Sequence, residues 1–326
     1  MRVIEAFEFS GYPGLRLIER EKPSSREDLV TVRLLAAGVN PLDHTILVGG
    51  HPRAKPPVVF GNEGVGVIVH AGPSPLPVGT RVMFTAPFGN GTWQEYLQVK
   101  ADELQPVPDN VDDVTATAVV VGYLSADLTL QQAGFKVGKS VLAPAIGGAV
   151  GNATYQLAKA YGASTVISTA GSRAKAEQAR ALGYDNVIDL SAEPLAEGIA
   201  RITNGAGVDV VIDAIGGAVT SGALKAMAMG GSLVTLGYSA SRDTTIDVTN
   251  IIWKDLKVTG FSLFRSTRAE TDAAWGRILP LLKSGAVKPP VARAFPLEEA
   301  AKALEYLIER RPFGKVVLKI TDAKAA

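Results

Sequence analysis

The chain has 326 residues, 33 basic against 32 acidic side chains, and no cysteine. This length predicts about two domains, and 47% hydrophobic with 20% charged residues is typical of a soluble protein with sizeable cores. The net charge of +1 argues against nucleic acid or an anionic membrane as the main partner. The missing cysteine excludes disulfides, thiolate zinc sites and cysteine nucleophiles.

The N-terminal segment MRVIEAFEFSG (1–11) carries three charges and has no apolar core, so it does not resemble a signal peptide. The most apolar window, TATAVVVGYLSADLTL (115–130), is interrupted by Asp127 before it could span a bilayer. We therefore expect a cytoplasmic protein.

Up to about residue 115, segments rich in Val, Ile and aromatic residues alternate with clusters of Gly, Pro and Asn. This pattern predicts the short strands of a small β-barrel or sandwich. The segments are VTVRLLAAGV (30–39), GVGVIVHAG (64–72), TRVMFTAP (80–87) and WQEYLQV (93–99).

From about residue 116 the pattern changes to alternating strands and helices, which indicates a parallel sheet covered on both faces. The predicted strands are SVLAPA (140–145), TVIST (165–169), VIDL (187–190), VDVVIDAI (208–215), SLVTLG (232–237) and KVTGFSLF (257–264). The tail breaks this alternation with the strands VARAFP (291–296) and KVVLKI (315–320), and we expect it to complete the N-terminal domain. The predicted division is therefore 1–118 with 266–326, and 119–265.

The first strand–helix turn of the predicted sheet, APAIGGAVG (143–151), is a candidate phosphate-binding site. Gly148 and Gly151 have the spacing of the last two glycines of a dinucleotide fingerprint, and the intervening Ala149 and Val150 open the helix. The pyrophosphate would then lie on the helix N-terminus. The alternative is a turn that needs glycine only for close packing.

The end of the second predicted strand favours NADPH over NADH. Enzymes that bind NAD usually place a carboxylate about 20 residues after the glycines, but residues 168–175 contain none. Instead, Gly171 and Ser172 begin a helix in which Arg173 and Lys175 could donate to a 2′-phosphate. The alternative is that both cations only solvate the helix surface.

With these motifs, the chain resembles the zinc-free quinone oxidoreductase branch, which includes zeta-crystallin, of the medium-chain dehydrogenase/reductase family. The resemblance implies a Rossmann-type doubly wound parallel sheet inserted in a GroES-like β-barrel catalytic domain, and a homodimer formed through the last Rossmann strand, KVTGFSLF. It extends through these segments: AAGVNPLDHTILVGGHP (36–52), VVFGNEGVGVIVHAG (58–72), GTWQEYLQV (91–99), AGFKVGKSVLAPAIGGAVGNATYQLAKAYGA (133–163), STAGSRAKAEQARALG (168–183), VDVVIDAIGG (208–217), GGSLVTLGYSAS (230–241) and GKVVLKI (314–320).

Asn40 and Asn62 stand where the zinc-dependent members of the family have ligating Cys and His residues. Amides are poor zinc ligands beside thiolate and imidazole, so we expect no metal. Quinones and activated C=C bonds accept hydride without a Lewis acid, and quinone reduction is therefore the favoured activity. An NADPH-dependent enone or enal reductase is the alternative, and a non-catalytic NADPH-binding protein is a third hypothesis.

The resemblance also implies individual roles. Asn40 would lie by the nicotinamide and donate to substrate or cofactor, or else it caps the following turn. His51 would line the substrate cleft as a proton donor, or else it is an exposed loop histidine. The remaining expected cofactor contacts are Ser125, Gly237, Tyr238 and Lys315, the last of which would reach a cofactor phosphate or simply end a strand.

Overall fold

The computed structural model describes residues 1–320. Its strands are β1 (Arg2–Ala6), β2 (Leu15–Glu19), β3 (Val30–Val39), β4 (Val58–Val59), β5 (Glu63–His70), β6 (Arg81–Thr85), β7 (Tyr96–Val99), β8 (Gln105–Pro106), β9 (Ser140–Ala143), β10 (Thr165–Ala170), β11 (Val187–Asp189), β12 (Val208–Asp213), β13 (Met227–Thr235), β14 (Lys257–Gly260), β15 (Val291–Pro296) and β16 (Lys315–Lys319). Its α-helices are α1 (Pro41–Leu47), α2 (Asp113–Gln132), α3 (Ala149–Ala160), α4 (Arg173–Ala181), α5 (Leu195–Thr203), α6 (Ala218–Lys225), α7 (Val248–Trp253), α8 (Arg268–Ser284) and α9 (Ala300–Glu305), the last continued by a π-helical turn over Tyr306–Arg310.

The chain forms two compact units. One combines Met1–Val121 with the described part of Pro289–Ala326, and the other is Gly122–Lys288. This division differs from the one expected from the sequence chiefly by helix α8, which belongs to the second unit. The reason is a buried carboxylate: Asp127 is fully buried, and Arg277 of α8 donates to it from Nε over 2.9 Å.

The first unit is built from β-strands with short connections. One sheet has the order β2-β1-β4, and a seven-stranded sheet has the order β15-β16-β3-β5-β6-β8, with β7 also paired to β3. Strand β3 is buried at every position, and all of its residues except Thr31 and Arg33 are apolar or glycine, because it pairs with β16, β5 and β7. Large side chains such as Phe60, Phe84 and Trp93 fill the core of this unit.

Strand register explains why residues far apart in sequence meet in the first unit. The tail strand β16 runs antiparallel to β3 and pairs Val316 with Val39. On the other side of β3, Ala37 pairs with Gly64 of β5. The end of β3, the start of β5 and the start of β16 therefore lie together at one edge of the sheet.

The second unit contains a six-stranded parallel sheet with the order β11-β10-β9-β12-β13-β14. This topology confirms the predicted doubly wound α/β fold. Alternate strand residues pack with helices α5 and α6 into one apolar cluster. The strand order reverses between β9 and β12, and ligands of open α/β sheets bind outside the carboxyl ends of the strands at such a reversal.

Helix α2 is, within residues 1–320, the one segment long and apolar enough to be considered for membrane crossing. Of its most apolar 18-residue window, 78% is buried. A core helix of a soluble protein has the same length and composition, so this helix is weak evidence for a membrane span.

Candidate functional site

The turn after β9 lies at the point where the strand order reverses. Gly148 is the N-cap of α3, and Ala149, Val150 and Gly151 form its first turn. A Cβ at Gly151 would collide with the carbonyl oxygens of the preceding turn, so glycine is required there for the helix to start so close to the strand.

The N-terminus of α3 has the features that a phosphate requires. Within residues 1–320 no side chain caps this helix, so its first N–H groups and the positive end of the helix dipole are available to an anion. Asn152 fixes the turn from inside the unit, because its Nδ2 donates to the carbonyl of Ile146 over 3.1 Å. This geometry is compatible with pyrophosphate contacts at residues 148–151, and those contacts stay a prediction.

Ala145 has an unusual backbone conformation in the same turn, with φ of 62°. An alanine is strained there because its Cβ approaches the following carbonyl oxygen. Thr169 at the end of β10 helps to hold it, since Thr169 Oγ1 accepts from the Ala145 N–H at 2.9 Å. Ala145 therefore adopts the left-handed conformation that glycine favours.

The end of β10 carries the expected helix start. Gly171 is exposed with open space around its Cα. Ser172 is the N-cap of α4, and its Oγ accepts from the Lys175 N–H at 3.5 Å. The Arg173 side chain is 84% exposed, with its Nε 3.7 Å from a carboxylate oxygen of Glu177. The cations are thus at the strand end, while their contact with a 2′-phosphate stays a prediction.

A carboxylate that sequence reasoning missed lies beside this strand end. Asp189 ends β11 and is paired with Ala170, the last residue of β10. The Ser191 hydroxyl donates to Asp189 Oδ1 over 2.6 Å, and this hydrogen bond holds the pKa of Asp189 below its usual value. Only the order of the parallel strands reveals this proximity, because Asp189 lies 38 positions after Gly151.

Three further predicted cofactor contacts lie in the second unit. Ser125 is buried within α2. Gly237 follows β13, and a Cβ there would come within 2.6 Å of the Ala214 carbonyl oxygen, so the two loops approach closely. Tyr238 is 46% exposed, with the Arg242 guanidinium 5.2 Å from its ring centroid. Their contacts with a cofactor stay predictions.

In the first unit, a buried polar cluster lies where β3 ends and where β5 and β16 begin. Lys315 is 5% exposed, and its Nζ donates to Asn40 Oδ1 over 2.6 Å and also to Glu63 Oε1. Glu63 is completely buried, and its Oε2 accepts from the Val121 N–H at 2.6 Å. Gly38 provides the space for this carboxylate, because a Cβ at Gly38 would overlap it. Sequence reasoning missed Glu63.

The contacts within this cluster bear on the predicted roles of Asn40 and Lys315. The Asn40 amide donates to Glu63 Oε1 over 2.8 Å and to Asn62 Oδ1 over 2.7 Å, so both of its N–H groups are already used. That arrangement disfavours Asn40 as a donor to substrate. The predicted contact of Lys315 with a phosphate is likewise disfavoured by the burial of its ammonium group.

Asp43 supports the start of α1 next to this cluster. Its carboxylate accepts from the backbone N–H of Asn40 at 2.8 Å and of Gly61 at 3.0 Å. Burial raises the pKa of Asp43 to about 7, although these two hydrogen bonds and the charge of Lys315 oppose the rise.

His51 lies in the same unit but in a separate group. Its ring centroid is 4.6 Å from that of Phe88, and its Nδ1 accepts from the Arg53 N–H at 3.3 Å. Partial burial, with the charge of Arg53, holds the pKa of His51 below its ordinary value. A neutral imidazole is a weaker proton donor than a charged one, and the catalytic role of His51 stays a prediction.

Comparison with known proteins gives two matching family descriptions. Residues 26–109 match the alcohol dehydrogenase GroES-like domain, and residues 149–279 match a family described as zinc-binding dehydrogenase. Within residues 1–320 there is no group of three or more His, Cys, Asp or Glu side chains that could hold a metal ion.

Individual relatives match along the whole chain. A quinone oxidoreductase of Rattus norvegicus is 31% identical over 325 residues, covering 98% of this chain and 97% of its own. A 2-haloacrylate reductase of a Burkholderia species is 34% identical over 311 residues, covering 89% and 90%. The structure of Escherichia coli quinone oxidoreductase complexed with NADPH superposes with a TM-score of 0.88 at 28% identity, covering 98% and 100%.

Proposed function

Since the chain belongs to the medium-chain dehydrogenase/reductase family of oxidoreductases, we propose that it is an NADPH-dependent reductase of quinones that works without zinc. The observation that carries this proposal is the glycine turn at the strand-order reversal, which leads into an uncapped helix N-terminus. The quinone oxidoreductases among the similar proteins support the choice of acceptor.

The residues of the second unit fit NADPH. Gly148–Gly151 would hold the pyrophosphate, while Ser172, Arg173 and Lys175 would hold the 2′-phosphate. When bound, the reduced nicotinamide supplies a hydride, which is a hydrogen nucleus with two electrons. This chain's own residues then need to bind the acceptor, orient it and stabilise the negative charge that grows on its carbonyl oxygen.

The position of the Lys315 ammonium supports a mechanism without zinc. The Lys315 ammonium donates to side chains of both residues, so a positive charge is already built into this position. A divalent cation bound at Asn40 would have to approach that charge.

Reduction of an activated C=C bond is the second candidate. It is favoured by the Burkholderia relative, a 2-haloacrylate reductase, which is 34% identical to this chain. A conjugated carbonyl would accept the hydride at its β-carbon, and its oxygen would gain the same negative charge as a quinone oxygen. The two candidates therefore need the same kind of polar group from the protein.

A substrate panel separates these functions. The purified protein is mixed with NADPH and one acceptor at a time, namely a para-quinone, an ortho-quinone, an enal, an enone or a haloacrylate, and oxidation of NADPH is followed by absorbance. We expect the quinones to give the highest kcat/KM, unchanged after treatment with a chelator. Turnover of the alkenes alone would support the second candidate, and tight NADPH binding without any turnover would indicate a binding protein.

We further propose a cytoplasmic homodimer. The last strand of the six-stranded sheet, β14, is an edge strand with all four residues exposed. An uncovered edge offers its N–H and C=O groups to a second strand. Exposed apolar side chains flank it, including Ile252, Trp253 and Phe264.

A further inference from the structure

The buried cluster of the first unit determines which way two amide side chains face. A lysine ammonium has three donors and no acceptor, so the Asn40 atom that lies 2.6 Å from Lys315 Nζ must be its oxygen. The Asn40 nitrogen is then left facing the Glu63 carboxylate, which only accepts. The orientation of this amide follows from the chemistry of its neighbours and not from an arbitrary assignment.

The same reasoning extends by one residue. Since Asn40 Nδ2 donates to Asn62 over 2.7 Å, the Asn62 atom that receives this bond must be its oxygen. The Asn62 nitrogen therefore faces away from Asn40. Within residues 1–320 it donates to no protein group, and Asn62 is only half-buried. The cluster thus ends in an oriented NH₂ group that is available to donate.

Burying two charged side chains in such a cluster costs free energy, which indicates that the cluster serves a function. Removing an ammonium and a carboxylate from water is unfavourable before their mutual attraction is counted, and an apolar replacement is often as stable. The Lys315–Glu63 pair is nevertheless almost completely buried, at 5% and 0% side-chain exposure. The pair fixes the orientation of the Asn40 amide and, through Asn40, that of the Asn62 amide.

We propose that Asn62 donates a hydrogen bond from Nδ2 to the carbonyl oxygen of the acceptor, with Asn40, Glu63 and Lys315 as the positioning residues that orient it. This inference rests on the proposed function. Asn62 would then be the catalytic residue of this cluster, in place of Asn40.

The hydrogen bond would strengthen as the reaction proceeds. Bound NADPH would supply the hydrogen with both electrons to the acceptor and would keep the positive charge as NADP⁺. The acceptor's carbonyl oxygen gains the negative charge, which Asn62 Nδ2 stabilises until a proton from water neutralises it. A donor aimed at an oxygen that becomes charged lowers the barrier more than it improves binding.

Substitutions at Asn62 test the donor by kinetics. Asn62→Ala removes the N–H donor, and we expect kcat to fall about 100- to 1,000-fold with a smaller change in KM, by comparison with the loss of one oxyanion donor. Asn62→Asp offers only acceptors, so it should lose more activity than the alanine variant. Asn110→Ala, at an exposed position of the same unit, is the matched control and should keep wild-type activity.

An infrared measurement gives a readout that does not depend on turnover. The carbonyl stretch of a ¹³C-labelled quinone is recorded with the protein in the absence of NADPH. We expect a band at lower frequency with the wild type and the Asn110→Ala control, and a return toward the free frequency with Asn62→Ala. Equal bands for wild type and Asn62→Ala, or no shifted band with the wild type, would overturn the assignment.

The positioning role of the ion pair needs its own variant. Glu63→Gln combined with Lys315→Met removes both charges, so that neither is left buried and unpaired. We expect the shifted carbonyl band to weaken and kcat to fall. If the double variant does not fold, as judged by circular dichroism, the Asn62 variants still decide the donor assignment.

The two proposals can fail separately. If the wild type reduces no quinone or alkene, the proposed function is wrong. If it reduces quinones and Asn62→Ala does so equally fast, the function stands and only the role of Asn62 is wrong.

Discussion

Asp43 accepts two backbone hydrogen bonds although it is only 2% exposed, and its pKa is raised from 3.8 to about 7 by burial. A raised carboxyl pKa means that the folded chain holds the proton more tightly than the unfolded chain. Folding is therefore favoured below the unfolded pKa, and that contribution is lost as the pH rises toward the folded value.

The first prediction follows from the upward direction of the Asp43 pKa shift. Between about pH 4 and pH 7, Asp43 should reduce the free energy of unfolding by about 4 kcal/mol in total, at about 1.4 kcal/mol for each pH unit. Asn at this position does not titrate, so the stability of the wild type relative to Asp43→Asn should fall across this window. Urea unfolding of both proteins at several pH values measures the difference.

The amide of Asp43→Asn can accept only one of the two N–H groups, so a constant loss of about 1 to 3 kcal/mol is expected beneath this pH dependence. If the difference between the proteins does not change between pH 4 and pH 7, Asp43 titrates in the folded state as it does in the unfolded state.

At the scale of elements, the turn that begins α3 contains a residue whose backbone does not suit its side chain. Ala145 has φ of 62°, a conformation that costs an alanine about 1 to 2 kcal/mol. Ala145→Gly removes this cost but loses about 0.4 to 1 kcal/mol because glycine is freer when unfolded. We expect a net gain of up to about 1 kcal/mol in urea unfolding.

An alanine in ordinary helical geometry provides the control. Ala174 is exposed within α4, and Ala174→Gly should cost about 0.5 to 1 kcal/mol. A loss of the same size from Ala145→Gly would mean that the left-handed conformation is not strained in solution.

The edge of β14 provides the next prediction. The Phe261 N–H donates to Thr235 of β13 over 2.9 Å, so N–H groups at odd-numbered positions face β13 and that of Val258 faces outward. Val258→Pro would therefore remove an outward donor without breaking the ladder within the sheet. Light scattering should give twice the chain mass of 34.1 kDa for the wild type and one chain mass for the variant.

Val258→Ala keeps the N–H group and changes the same side chain, so it should remain dimeric. A wild-type protein that is monomeric at micromolar concentration would contradict the homodimer. A dimeric Val258→Pro protein would instead show that the dimer contact does not depend on the outward N–H of β14.

Elements with a strong local signal could be predicted from the sequence. The apolar segments at 30–39, 165–169 and 208–215 correspond to strands, and the change of pattern near residue 116 marks the change from a β-rich unit to alternating strands and helices. Valine and isoleucine in short runs fit a pleated, buried surface wherever they occur. Such signals require no knowledge of distant neighbours.

The polar clusters could not be predicted in this way. Lys315 reaches Glu63 across 252 positions only because β16 pairs with β3, and Asp189 lies beside Ala170 only because β11 pairs with β10. Helix α8 joins the second unit through an ion pair between half-buried Arg277 and buried Asp127, which no local pattern reveals. Non-local pairing, rather than local propensity, determines these features.

At the scale of the whole molecule, a bound cofactor should stabilise the fold that binds it. A ligand at about 100 times its Kd adds about 2.7 kcal/mol to the free energy of unfolding. For a unit of this size that corresponds to an increase of about 5 to 10 °C in Tm. At equal concentration, NADPH should raise the Tm more than NADH, because Arg173 and Lys175 would interact with the 2′-phosphate.

Variants test whether these two positive charges cause the preference for NADPH over NADH. Combined Arg173→Ala and Lys175→Ala substitutions should reduce the stabilisation by NADPH to that by NADH, whereas Lys159→Ala with Lys257→Ala, which removes two exposed cations elsewhere on the unit, should leave the difference intact. A larger stabilisation by NADH in the wild type would contradict the prediction. It would mean that the charged Asp189 accepts hydrogen bonds from the ribose hydroxyls and repels the phosphate more strongly than the two cations attract it.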